Sequence, residues 1–218
     1  MKHLGHRAAA AILSAAALVL AGLGAPAASA AAKYPGVEHG KGFIVVDPNA
    51  PDVVHKGNAT FIPTGPVDAN TVIVVRGDDG SLPGGMTLDQ VAAKVSSGAG
   101  VQPMTFCDGL TVWGAKIRSY SNISSAQCSM AGNPDAHVSY LFWVTPGTEQ
   151  WALGYGLGNY LGYNGSDFGL WSQYYSLGQA SSDSPGGNTV PWGNVWGYPK
   201  FYAFDLSYTF FAAGVWTY

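Results

Sequence analysis

Residues 151–163 read WALGYGLGNYLGY. Trp151, Leu153, Tyr155, Leu157, Asn159, Leu161 and Tyr163 fall on one parity, and Ala152, Gly154, Gly156, Gly158, Tyr160 and Gly162 on the other. Successive side chains of a strand point to opposite faces, so this stretch describes a strand with one bulky and one nearly bare face. Trp, Leu and Tyr bury much apolar area, which assigns the bulky face to a core. Glycine weakens a strand interior, so a face built from it implies close approach by backbone, a second sheet or a flat ligand. Two tightly stacked sheet layers meet that demand. A transmembrane barrel strand, with aromatics toward lipid and small residues toward a lumen, is the competing account. The C-terminal stretch weighs against it. Tyr208, Phe210, Ala212, Gly214, Trp216 and Tyr218 alternate in the same way, but Thr209, Phe211, Ala213 and Val215 make the opposite parity apolar as well. A strand buried on both faces fits that pattern better than the wall of a water-filled pore.

Working outward, KGFIVVDPNAP (41–51), NATFIP (58–63) and NTVIVVRGDDGS (70–81) each read as a short strand ended by Pro or an Asp-Gly turn. One helix follows. Thr87 and Gln90 have capping-box spacing, Leu88, Val91, Ala92 and Val95 share a face, and Gly98 is a natural stop. Beyond it the chain reads as strands near 105–107, 110–119, 137–145, 150–163, 168–177 and 200–217. Pro146-Gly147 and Asn164-Gly165 punctuate the middle three into an antiparallel meander. Residues 179–199, QASSDSPGGNTVPWGNVWGYP, read as a long polar loop. The expected fold is mostly β: an antiparallel β-sandwich, jelly-roll-like or barrel-like, with one short α-helix.

Residues 1–30 stand apart. Lys2, His3, His6 and Arg7 make a basic start, residues 8–23 are apolar, and Ala28-Ser29-Ala30 supplies a small-residue cleavage site. That is the layout of a secretory signal peptide, leaving residues 31–218 as a single β-rich domain with a secreted, extracellular destination. Without Lys2 and Arg7, eight bases face thirteen acids, and Lys200 is the only Lys or Arg from Ser119 onward. A nucleic-acid partner needs a basic face to neutralise phosphates, and this half of the chain has none. Attraction to anionic lipid is disfavoured for the same reason. An oxidising compartment favours joining the only two cysteines, Cys107 and Cys128. That bridge closes a loop of about twenty residues, worth about 3 kcal/mol on chain-entropy grounds.

Enzymatic signals are thin, and no catalytic residue is assigned. His39, His55 and His137 have no local zinc-ligand spacing, no G-x-S-x-G elbow is present, and Ser166 falls in a turn. Glycoside hydrolysis needs two carboxylates across a cleft, yet the only glutamates are Glu38, near the start of the mature chain, and Glu149 in the PGTEQ turn, which leaves a pair among the eleven aspartates as the alternative. Asp78-Asp79 lacks the spacing of a calcium loop and reads as a turn. No cofactor motif and no metal site is found. Binding signals are stronger: Trp192, Asn194, Trp196 and Tyr198 bring flat apolar rings and an amide to the long loop. These four are the candidate ligand-binding residues. The functional expectation is a secreted, non-catalytic binding protein that recognises a cell-surface glycan or an exported protein partner. A self-assembling or pore-forming β-protein, with strands between subunits or in a membrane, ranks below it. A jelly-roll hydrolase acting on polysaccharide ranks third.

Overall fold

The computed structural model describes residues 33–98, 106–113, 118–144, 151–205 and 210–217, of which 106–113, 205 and 210–217 are described by backbone alone. The signal-like segment lies outside the described residues. In chain order come β1 (Val37–Gly40), β2 (Phe43–Val46), β3 (Val54–Lys56), β4 (Ala59–Pro63), β5 (Val72–Val75) and the helix α1 (Leu88–Ser96). They are followed by β6 (Phe106–Trp113), β7 (Ser119–Tyr120), β8 (Ser124–Ser125), β9 (Met130–Ala131) and β10 (His137–Val144). The long hairpin of β11 (Trp151–Asn164) and β12 (Asp167–Ser181) precedes β13 (Gly186–Pro191), β14 (Val195–Gly197), β15 (Lys200–Asp205) and β16 (Phe210–Thr217).

These strands make three sheets in a sandwich. The central sheet has the order β3-β4-β12-β11-β15-β7, with β8 also on β15, and every pairing is antiparallel. A rear sheet, β13-β10-β16-β6, is likewise antiparallel. The front sheet, β1-β2-β5-β14-β9, departs from the expected pattern, because β2–β5 and β5–β14 run parallel. Helix α1 starts where the sequence places it. Thr87 Oγ1 accepts from Gln90 N at 3.3 Å, while Gln90 Oε1 accepts from Thr87 N at 2.8 Å. Its Val91 packs with Phe43, Val45, Val74 and Trp196, on the side of the front sheet away from the main core.

The opening stretch is β11, and its small face is buried from Ala152 to Gly158. Ala152, Gly154, Gly156 and Gly158 are all buried, Gly154 and Gly156 against rings of β10 and Gly158 against Pro191 O and the Tyr175 ring. A Cβ on Gly154 would lie 2.5 Å from Phe142, and one on Gly156 would lie 2.6 Å from Tyr140. Phe201 and Ala203, paired with Gly156 and Gly154 on β15, are buried on the same face at 0% exposure. Layers stacked about 10 Å apart have room for one set of large side chains. The rear sheet supplies the rings, so the central sheet must supply glycine. The bulky parity, which the sequence assigns to the core, is therefore core only in part, with Asn159 at 2% exposure and Leu161 packed against the main cluster. Leu157, Asn159 and Leu161 turn toward the front sheet, while Trp151 and Tyr163 are exposed.

Three other expectations are corrected. Strand β10 does not pair with β11; it lies between β13 and β16 in the rear sheet, so only β11–β12 survives of the meander. That hairpin closes on a two-residue turn, Gly165-Ser166, with Gly165 at φ +82°. Residues 200–217 contain two strands in different sheets. Residues 179–199 are mostly strand rather than loop, because Gly186–Pro191 completes the rear sheet and Val195–Gly197 the front one. A register shift lies between Leu153 and Tyr155, where β12 places Leu177 and Gly178 opposite the single Gly154. This bulge, with Gly178 at φ +80°, resets the alternation so that Leu177 and Ala180 are both 1% exposed. No strict period of two predicts that pair.

Candidate functional site

The four ligand-binding residues expected from the sequence do not converge on one site: Trp192 and Tyr198 line one cavity, Trp192 and Asn194 a second, and Trp196 neither. Trp192 is 1% exposed; its Nε1 donates to Val195 O at 2.9 Å, and its backbone N donates to Ala136 O at 2.9 Å. Trp196 is 5% exposed, donates from Nε1 to Ser129 Oγ at 3.1 Å, and has Lys94 Nζ 5.8 Å from its ring centroid. Both indoles belong to the core. They dock because residues 192–197 tie the front sheet to the rear one, which requires apolar filling there. Asn194 accepts from Ile73 N through its backbone O at 2.9 Å. Tyr198 is half-buried and its hydroxyl accepts from Gly84 N at 2.9 Å.

Tyr198 does line a cavity, of about 440 Å³, between the front and central sheets. Its front wall is Val75, Arg76 and Val195; its other wall carries Leu157, Ser172 and Tyr174 of the β11–β12 hairpin. Within that wall Ser172 Oγ donates to Asn159 Oδ1 at 2.7 Å, so a buried amide is fixed by a cross-strand partner. At the rim, Asn58 Nδ2 donates to Tyr174 O at 2.6 Å, and His55 Nδ1 lies 3.1 Å from Thr60 Oγ1. The two permanent cations at the cavity are both paired, Arg76 with Glu38 and Lys200 with Asp78. The cavity thus offers polar groups with little net charge.

Tyrosines line up at its mouth. Tyr155 and Tyr202 are cross-strand partners on β11 and β15. Their rings stack at 4.8 Å between centroids and 14° between planes. Tyr174 meets Tyr202 edge-on at 4.8 Å, and Tyr120 meets Tyr202 at 5.6 Å and Phe204 at 4.9 Å. All five rings sit on the bulky face of the central sheet, by the register of β7, β15, β11 and β12. Tyr120 is 60% exposed and Tyr155 and Tyr202 partly so, which leaves the ladder open along its outer side. Burial, with Tyr155 and Tyr120 beside it, pushes the Tyr202 phenol up to about 12. Burial and the Asp78 carboxylate raise Tyr174 further. Both phenols stay protonated at neutral pH, as hydroxyl donors and acceptors, and neither has a hydrogen-bond partner among the described residues.

Sequence reasoning missed Tyr120, Tyr155, Tyr174 and Tyr202 as a site. Tyr155 was visible on the bulky parity, but the ladder depends on the pairing of β11 with β15 across forty-odd residues, which no local pattern encodes. The Asp78-Asp79 turn takes the form expected of it. Asp79 accepts from Ser81 N at 2.9 Å and Ser81 Oγ at 2.6 Å, and these bonds hold its carboxyl below the usual range. Among the described residues, no three His, Cys, Asp or Glu side chains converge as metal ligands. Cys128 packs against the core and no free thiol occurs among the described residues; the Cys107 side chain lies outside them, so its pairing remains an expectation. No family model matches the chain, and comparison with curated proteins and with solved structures yields no significant match.

Proposed function

We propose that this chain is an exported, non-catalytic carbohydrate-binding protein whose ligand is an uncharged glycan. The glycan lies along the Tyr120–Tyr202–Tyr155 ladder and places one sugar in the adjoining cavity. The observation that carries this reading is the ladder itself: partly exposed rings, held by cross-strand stacking, leading into a cavity lined by hydroxyls and amides. Sugar C–H faces pack on aromatic rings, and convergent polar groups take the hydroxyls. The pairing of Arg76 and Lys200 removes the free cations that an anionic ligand requires. The signal-like residues 1–30 support export. A hydrolase is favoured less, because Asp78 is the only carboxylate lining the cavity among the described residues and Lys200 already engages it.

The test is retention of the mature protein on insoluble cellulose, chitin, xylan and peptidoglycan. Wild type should be depleted from solution by at least one of them, and Tyr202→Ala should weaken that retention at least tenfold while remaining folded by circular dichroism. Absence of retention on all four, or unchanged retention of Tyr202→Ala, refutes the reading. Retention on whole cells that protease removes and glycosidases spare would assign the ladder to an exported protein partner instead.

A further inference from the structure

Resting on the carbohydrate reading, we infer that the chain carries a second saccharide site, separate from the tyrosine ladder, in the cavity between Tyr160 and the Trp192–Val195 turn. This cavity, of about 380 Å³, shares Asn159, Trp192 and Val195 with the first as a common wall and opens on other residues. Its accessible lining combines the three features a sugar pocket needs. Leu161 and Pro191 give an apolar base. Tyr160, 39% exposed, gives an open ring. The Asp135 carboxylate and the Asn194 side-chain amide give polar groups without a hydrogen-bond or ion-pair partner among the described residues.

Each element is held in place before any ligand arrives. Tyr160 is the cross-strand partner of Trp171, and their rings lie within 10° of parallel with centroids 6.1 Å apart. Trp171 in turn packs on the buried Phe61 at 4.9 Å. The turn that presents Asn194 is pinned by Trp192 Nε1 on Val195 O, by Trp192 N and Gly193 N on Ala136 O, and by Ile73 N on Asn194 O. Gly193, at φ +65°, permits that bend. Asp135 sits in a turn whose backbone N donates to Asn133 Oδ1 at 2.9 Å. A site assembled from a β12-anchored ring and a pinned turn loses little entropy on binding. Two such sites on one chain let a single molecule bridge polysaccharide strands, with avidity beyond either site alone.

The experiment is a calorimetric titration of the mature chain with cellohexaose, chitohexaose and xylohexaose, alongside Tyr202→Ala and the double variant Tyr160→Ala/Asn194→Ala. Two equivalents bound per wild-type chain, falling to one in each variant, is the expected result. The double variant should also stop clumping beads coated with the matching polysaccharide while still being retained by them. One equivalent per chain, lost in Tyr202→Ala and intact in the double variant, overturns the second site and leaves the ladder reading standing. One equivalent lost in both variants means a single extended site, which also overturns the proposal. One equivalent lost only in the double variant keeps this cavity as a saccharide site and refutes the ladder. No binding of any hexaose refutes both. A melting temperature equal to wild type shows that Tyr160→Ala/Asn194→Ala is folded, and Asn194→Asp serves as a second variant if it is not.

Discussion

Replacing Gly156 by alanine is the sharpest probe of the layer packing. The new Cβ would lie 2.6, 2.7 and 2.9 Å from Cδ2, Cε2 and Cγ of Tyr140, which are closer than carbon atoms approach. Tyr140 is 2% exposed and its hydroxyl donates to Leu157 O at 2.8 Å, so the ring cannot swing aside without losing that bond. Overpacking of this kind costs about 1–3 kcal/mol, and a net hydrogen bond adds about 0.5–1.5 kcal/mol. Together they predict a loss of roughly 2–4 kcal/mol, or a fall in Tm of about 4–16 °C for a chain of this size. Gly162 provides the control on the same strand. Its Cβ would meet Trp171 and Tyr160 at 3.5 Å, an ordinary contact, so Gly162→Ala should change stability by less than about 1 kcal/mol. Adding Tyr140→Leu to Gly156→Ala should recover part of the loss, giving a double-mutant coupling above about 0.5 kcal/mol. Thermal melts of wild type, the single variants Gly156→Ala, Tyr140→Leu and Gly162→Ala, and the double variant decide it. Equal Tm values for Gly156→Ala and Gly162→Ala would refute the ring-in-glycine packing, since that packing alone distinguishes the two positions.

Three further outcomes are expected. Trp192→Ala and Trp196→Ala should each lower stability by about 3–5 kcal/mol in denaturant titrations, as buried Trp truncations do, and a near-neutral result would return those indoles to the surface. Raised phenol pKa values mean that the folded state holds protons which the unfolded chain releases near 10. The stability contributed by Tyr174 and Tyr202 is therefore complete below pH 10 and lost as pH climbs through about 12 at Tyr202. Part of the tyrosinate absorbance should rise late and together with unfolding; completion of the whole tyrosine titration near pH 10 in a still-folded protein would contradict the burial of Tyr174 and Tyr202. Secreted material should begin at Ala31 and weigh two hydrogens less than its reduced form, with reduction costing about 3 kcal/mol; two free thiols in the unreduced protein would exclude the Cys107–Cys128 bridge.

The sequence by itself determined everything that short-range physics controls. The capping box of α1, the strands at 43–46, 59–63 and 72–75, and the Gly165-Ser166 hairpin are encoded within a few residues of where they form. The alternation in β11 pointed to a stacked layer, because close approach accounts for a glycine face and the apolar C-terminal stretch weighs against a pore wall. Which face would be buried was not decided there. That depended on Tyr140 and Phe142, whose rings arrive from another sheet and need the space that Gly154 and Gly156 leave. Long-range pairing also settled the fate of the aromatic residues. Trp192 and Trp196 look like a binding loop in isolation, yet they were drawn into the core by strands that join the front and rear sheets. Tyr155 and Tyr202, unremarkable alone, became a stacked ladder because β11 and β15 are neighbours. Local sequence sets backbone conformation through sterics and hydrogen bonds within a few residues, whereas burial is a property of what lies across the layer, and only the tertiary structure brings that neighbour into place.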